Sequence, residues 1–87
     1  MRRETASWLL AHWREIVEWL PAPGHEWQIK DIDDCPYRDG QILTNKGVVD
    51  HVKRSEYGQA AVYETNDEAY DRVQDYREQA IENGDWQ

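Results

Sequence analysis

Apolar residues in the first quarter of the chain recur at helical spacing: Leu9, Trp13, Ile16, Val17 and Leu20, with His12, Arg14, Glu15 and Glu18 between them. That period predicts one amphipathic helix over 5–20. Pro21, Pro23 and Gly24 end it, because proline cannot continue the hydrogen-bond ladder. Trp27, Ile29 and Ile32 among polar neighbours predict a short second helix over 26–33, with an extended segment as the alternative. Asp34, Cys35 and Pro36 read as a turn whose proline opens a third helix over 36–46. Ile42 and Leu43 anchor it, and Gly47 caps it in a left-handed conformation. Gly40 inside that span costs about 1 kcal/mol against alanine, so this helix is expected to be short or bent.

Beyond Gly47 the pattern turns extended. Val48, Val49 and Val52 precede a polar, glycine-containing tip, and Val62 and Tyr63 follow it, which predicts a hairpin over 48–64. Thr65 to Glu68 matches a capping box, with the threonine as the cap, and opens a helix over 66–83. Its stripe is Ala69, Val73, Tyr76 and Ala80, and Asn83-Gly84 stops it. Residues 1–87 are read as a single α+β domain whose tail frays unless Trp86 folds back.

Eighty-seven residues supply enough apolar material for one hydrophobic core. Five Trp and five Tyr, with no Phe, make that core depend on a few large rings. Trp8 and Trp19 fall off the main stripe of the first helix, so exposure of at least one is expected, as at an interface. The single cysteine, Cys35, excludes an internal disulfide, and its place near a helix start would lower its pKa. No apolar stretch approaches the ~20 residues that cross a bilayer, and the charged start lacks a signal-peptide core. A cytoplasmic protein is the expectation.

The net charge of −8, from 18 acidic and 10 basic residues, changes the picture more. Only Lys30, Lys46 and Lys53 are lysines, and this acidic, lysine-poor composition resembles that of proteins from halophilic archaea. In concentrated salt the Debye length shrinks to about 3 Å, so distant carboxylates would not oppose approach to a polyanion. The charge is also uneven. Between Cys35 and Tyr63 four cations face three anions, a balance of +1, whereas six cations and 15 anions elsewhere give −9.

The order of these elements, and the run from Ile42 to Arg54 with Leu43, Gly47, Val48, Val52 and Arg54 at its key places, resemble the winged helix-turn-helix DNA-binding domain. Tyr57 to Tyr63 likewise looks like a wing tip and its returning strand. The likeness covers residues 26–65 and extends to small haloarchaeal transcriptional regulators. It implies a three-helix core, a two-stranded wing and a long C-terminal helix, with the third helix in the major groove and the wing on the DNA backbone. Carried over by position, Tyr37, Arg38, Gln41, Thr44 and Asn45 would face base edges or nearby phosphates. Lys46, Lys53, Arg54, Tyr57 and Gln59 would grip the backbone. Asp39, Gly40 and Glu56 depart from the family pattern.

The expectation is therefore a DNA-binding regulator without cofactor or catalytic activity, acting on double-stranded DNA as a homodimer built on the first and last helices. A winged helix that binds a protein partner, or an acidic DNA mimic, is the alternative. His12, His25, His51 and Cys35 lack ligand spacing, and Asp31, Asp33 and Asp34 lack the glycine and glutamate of a calcium loop.

Overall fold

The computed structural model describes residues 1–32, 35–37 and 40–86. Helix α1 (Arg3–Ile16) buries Thr5, Leu9, Trp13 and Ile16, four residues that helical geometry stacks on one side. The chain turns over residues 17–19, so the helix stops four residues before the expected end at Leu20. Pro21 disfavours helical backbone at the residue before it. Trp19 and Leu20 still reach the core, because the Leu20 N–H donates to the Ile16 carbonyl at 2.8 Å.

The predicted helix over 26–33 is not formed. Glu26–Trp27 is a short strand, β1, and Ile29–Asp31 is a single 3₁₀ turn, while Asp33 and Asp34 lie outside the described residues. Trp27 decides this segment. Its ring is buried, and its indole N–H donates to the Thr65 hydroxyl at 3.1 Å, a partner 38 residues away that only the sheet supplies. The 3₁₀ turn closes on itself, since the Gln28 N–H donates to the Asp31 carboxylate at 3.0 Å.

Helix α2 (Gln41–Asn45) is likewise shorter than the expected 36–46. Cys35 to Tyr37 are not helical, and Arg38 and Asp39 lie outside the described residues. Gly40 stands at the head of the helix rather than inside it, because there the backbone runs against the Tyr63 ring. Its N–H donates to the Tyr63 hydroxyl at 3.0 Å, and a Cβ at this position would fall 2.4 Å from Tyr63 Cζ. Leu43 fixes the helix to the core, and Gly47 ends it with φ +76°, as expected.

Strands β2 (Val49–Lys53) and β3 (Val62–Thr65) form the hairpin, and β1 pairs with β3 on its other side, giving an antiparallel sheet in the order β1-β3-β2. At the far end Glu56 and Gln59 exchange backbone hydrogen bonds of 3.1 and 2.8 Å. Between them Tyr57 (φ 45°) and Gly58 (φ 81°) make the doubly left-handed turn that suits the strand twist. Every residue from Asp50 to Ala60 is exposed, so this part of the ribbon stands clear of the body.

Helix α3 (Asp67–Glu82) starts one residue later than the sequence suggested. Asn66 is the cap, its side-chain oxygen accepting from the Ala69 N–H at 3.1 Å, since the Thr65 hydroxyl is already held by Trp27. Ala69, Val73 and Ala80 pack the helix alongside α1. Trp86 folds back onto this pair, 5.3 Å from the Trp13 ring, and Arg14 lies over both indoles. Neither doubtful tryptophan is fully exposed: Trp19 is buried, and Trp8 is half-buried and stacked on His12 at 4.2 Å. Among the described residues no helix is long and apolar enough to cross a membrane.

Candidate functional site

Helix α2 and the ribbon flank an open cleft of about 620 Å³. From the helix it takes Gln41, Thr44 and Asn45, from β2 and the residues after it His51, Arg54 and Ser55, and from the returning chain Ala61 and Tyr63. Positions three and four apart share a helix face, so Gln41, Thr44 and Asn45 line up while Leu43 enters the core. The Thr44 hydroxyl donates to the Gln41 carbonyl at 2.9 Å.

The ribbon sorts charge by strand alternation. Asp50 pairs with Glu64 and His51 with Tyr63, so the two acids lie on one face and the imidazole and phenol on the other. A bulge follows, in which Val52 is the extra residue between the pairs His51↔Tyr63 and Lys53↔Val62. Without it Lys53 would share the face of His51. With it Arg54 does so instead, and Arg54 lines the cleft.

Among the described residues, no carboxylate lines this cleft. In a chain of net charge −8 that segregation is the main electrostatic feature of the ribbon. The acids gather on the reverse side, where Asp50, Glu64, Asp67 and Glu68 line a second hollow.

The residues expected to act together are only partly brought together. Gln41, Thr44, Asn45 and Arg54 share the cleft. Lys53 turns elsewhere and donates to the Gln59 side-chain oxygen at 2.9 Å, and Tyr57 stands 98% exposed at the ribbon apex. Lys46 lies 2.9 Å from Glu4 on α1, whose carboxyl it holds below the usual range by hydrogen bond and charge. Arg38 lies outside the described residues. Tyr37 packs against the turn that follows α1, its ring 5.9 Å from Trp19, rather than lining the cleft. Burial, and then the Glu15 carboxylate to which it hydrogen-bonds, push its hydroxyl up to about 12.

Cys35 also reverses an expectation. Among the described residues, 35–37 are not helical, and burial pushes the Cys35 thiol up, opposed by a weaker hydrogen bond to the Tyr37 carbonyl. Among the described residues no cluster of three His, Cys, Asp or Glu could hold a metal ion.

Three residues near the site were missed in the sequence. His51 and Ser55 line the cleft, and Arg2 donates to the Asn45 carbonyl at 3.0 Å, at the end of α2. His51 carried a signal, its alternation with Asp50 across a predicted strand; Arg2 carried none, because its contact spans 43 residues. Comparison with protein-family models, curated proteins and solved structures gives no match.

Proposed function

We propose that this chain is a winged helix-turn-helix domain that binds double-stranded DNA as a transcriptional regulator, with α2 directed at the major groove and the ribbon at the adjoining backbone. The observation that carries this reading is the cleft between α2 and the ribbon, lined among the described residues by no carboxylate and with Arg54 in it, in an otherwise acidic chain. Phosphate repels carboxylates and is held by guanidinium and hydroxyl donors, which is the inventory present. Gln41 and Asn45 carry the paired donor and acceptor that match an adenine edge, and Arg54 is suited to phosphate or guanine. Element order supports it too: a helix, a segment with one helical turn, a second helix, a hairpin and a long helix follow in the family sequence. Tyr57 adds to the case, since a bulky residue with φ 45° at the ribbon apex is strained where it has no core to fill.

A homodimer through α1 and α3 fits this reading. Leu10 on α1 is 63% exposed and Ile81 on α3 is 47% exposed, two apolar side chains that a second copy could cover. One observation favours a second use of the same fold. The reverse-side hollow of Asp50, Glu64, Asp67 and Glu68 suits a basic protein segment.

Fluorescence anisotropy of a labelled random-sequence duplex across a salt series tests the DNA reading. Binding that weakens linearly on a log–log plot, with a slope about 0.9 shallower for Arg54→Ala, is the expected result. Absence of binding at low salt, or an Arg54→Ala slope equal to that of the natural sequence, would overturn it.

A further inference from the structure

His51 was no part of the sequence-based site, yet it lines the cleft. It projects from β2 on the face opposite Asp50, its ring 5.0 Å from that of Tyr63. Tyr63 is buried and held in turn through its hydroxyl, which accepts from the Gly40 N–H at 3.0 Å. The imidazole thus rests on a fixed platform while itself remaining exposed to whatever enters.

Its surroundings select the kind of ligand atom it would meet. From α2 the facing residues are Gln41, Thr44 and Asn45, none of which titrates; from the ribbon they are Arg54, Ser55 and the Tyr63 phenol. Among the described residues Arg54 is the charged group lining the cleft, and no carboxylate lines it to neutralise an imidazolium. Asp50 and Glu64, its neighbours in sequence or across the strands, belong to the other face. A proton on His51 therefore adds a second positive charge beside Arg54, where a phosphate between helix and ribbon would answer it.

We propose that His51 is a phosphate contact in this cleft that is made only when its imidazole is protonated, so that acidification tightens the grip on DNA. This rests on the DNA-binding reading of the cleft and adds to it a proton-dependent contact. Histidine is the side chain that changes charge between about pH 5 and pH 8, and each cation set against a phosphate releases about 0.9 counterion. The other two histidines are controls. His12 is stacked on Trp8, with its Nδ1 2.8 Å from the Trp8 carbonyl oxygen, and His25 precedes β1; neither lines the cleft.

The test measures anisotropy of a labelled random-sequence duplex over a salt series at about pH 5.5 and about pH 8, for the natural sequence, His51→Gln and His25→Gln. Circular dichroism confirms that each variant is folded. For the natural sequence and for His25→Gln, the salt dependence at the lower pH is steeper by about 0.9, and affinity at about 0.1 M salt is roughly five- to tenfold tighter. For His51→Gln both differences vanish, and its affinity equals that of the natural sequence at the higher pH. A pH difference that survives in His51→Gln, or is absent from the natural sequence while DNA is still bound, overturns the role of His51 alone. No binding at any pH or salt overturns that role and the reading of the cleft together.

Discussion

The Tyr63 hydroxyl accepts a hydrogen bond from the Gly40 backbone N–H at 3.0 Å, joining the returning strand of the ribbon to the head of α2. Helix and ribbon face each other across the cleft through this contact, and Tyr63 is also the floor on which His51 rests. Tyr63→Phe leaves the ring in place but strands the Gly40 N–H, at a cost of about 1 to 3 kcal/mol. Gly40→Ala pushes a methyl into the Tyr63 ring and destabilises by a similar amount, about 1 to 3 kcal/mol. Urea denaturation measures both. Values within about 0.3 kcal/mol of the natural sequence would show that the contact is not formed.

A second buried hydrogen bond ties β1 to the sheet. Thr65→Val keeps the shape of the side chain but leaves the Trp27 indole N–H without its acceptor. The expected loss is about 1 to 3 kcal/mol in denaturant unfolding, with an unchanged m-value.

Sequence reasoning captured the elements whose signals are local and missed those that depend on distant partners. The stripes Leu9-Trp13-Ile16 and Ala69-Val73-Ala80 mark α1 and α3 because each helix is closed by its own hydrogen bonds. Ile29 and Ile32 fit a helical period, whereas the arrangement of Trp27 is set by Thr65 and Tyr63 far along the chain. Gly40 read as a weak point inside a helix, whereas it is the place where a ring leaves no room for a Cβ. Of the residues lining the cleft, Gln41, Thr44, Asn45 and Arg54 were named through the winged helix resemblance. The separation of Arg54 from Lys53 was not legible, because it follows from one extra residue, Val52, in the strand pairing.

That bulge yields its own prediction. Deleting Val52 restores regular alternation with Arg54 two residues after His51, so Arg54 keeps the face of His51 and only the extra residue is lost. A folded deletion variant is therefore expected to bind DNA with the salt dependence of the natural sequence, and Arg54→Ala made within it to be shallower by about 0.9 in anisotropy titrations. A deletion variant whose own salt dependence is shallower by about 0.9 would mean that Arg54 does not lie on the face of His51.

Tyr57 occupies a left-handed position that asparagine adopts more readily than an aromatic residue. Tyr57→Asn should therefore stabilise the fold by about 0.5 to 1 kcal/mol in thermal or urea unfolding. It should also weaken DNA binding, since the exposed ring is retained at that cost. A variant that is both more stable and an equal binder would remove Tyr57 from the site.

The Tyr37 hydroxyl gives a pH dependence at the alkaline end. In the unfolded chain a tyrosine ionises near pH 10, whereas in the fold burial and Glu15 hold this one to about 12. The fold thus favours the neutral phenol, so the contribution is intact below about pH 10 and fades as pH rises toward about 12. Tyr37→Phe has no proton to lose and should show a smaller fall in stability across that interval, measured by denaturant midpoints at successive pH values. Equal falls would place the ionisation elsewhere.

The central claim, that DNA lies between α2 and the ribbon, is tested most directly by following backbone amide resonances while a duplex is added. The shifts should concentrate on Thr44, Asn45, His51, Arg54 and Ser55 and leave the outer face of α3, around Asp71 and Glu78, unmoved. Shifts confined to the acidic hollow of Asp50, Glu64 and Asp67, or to α1 and α3, would contradict it.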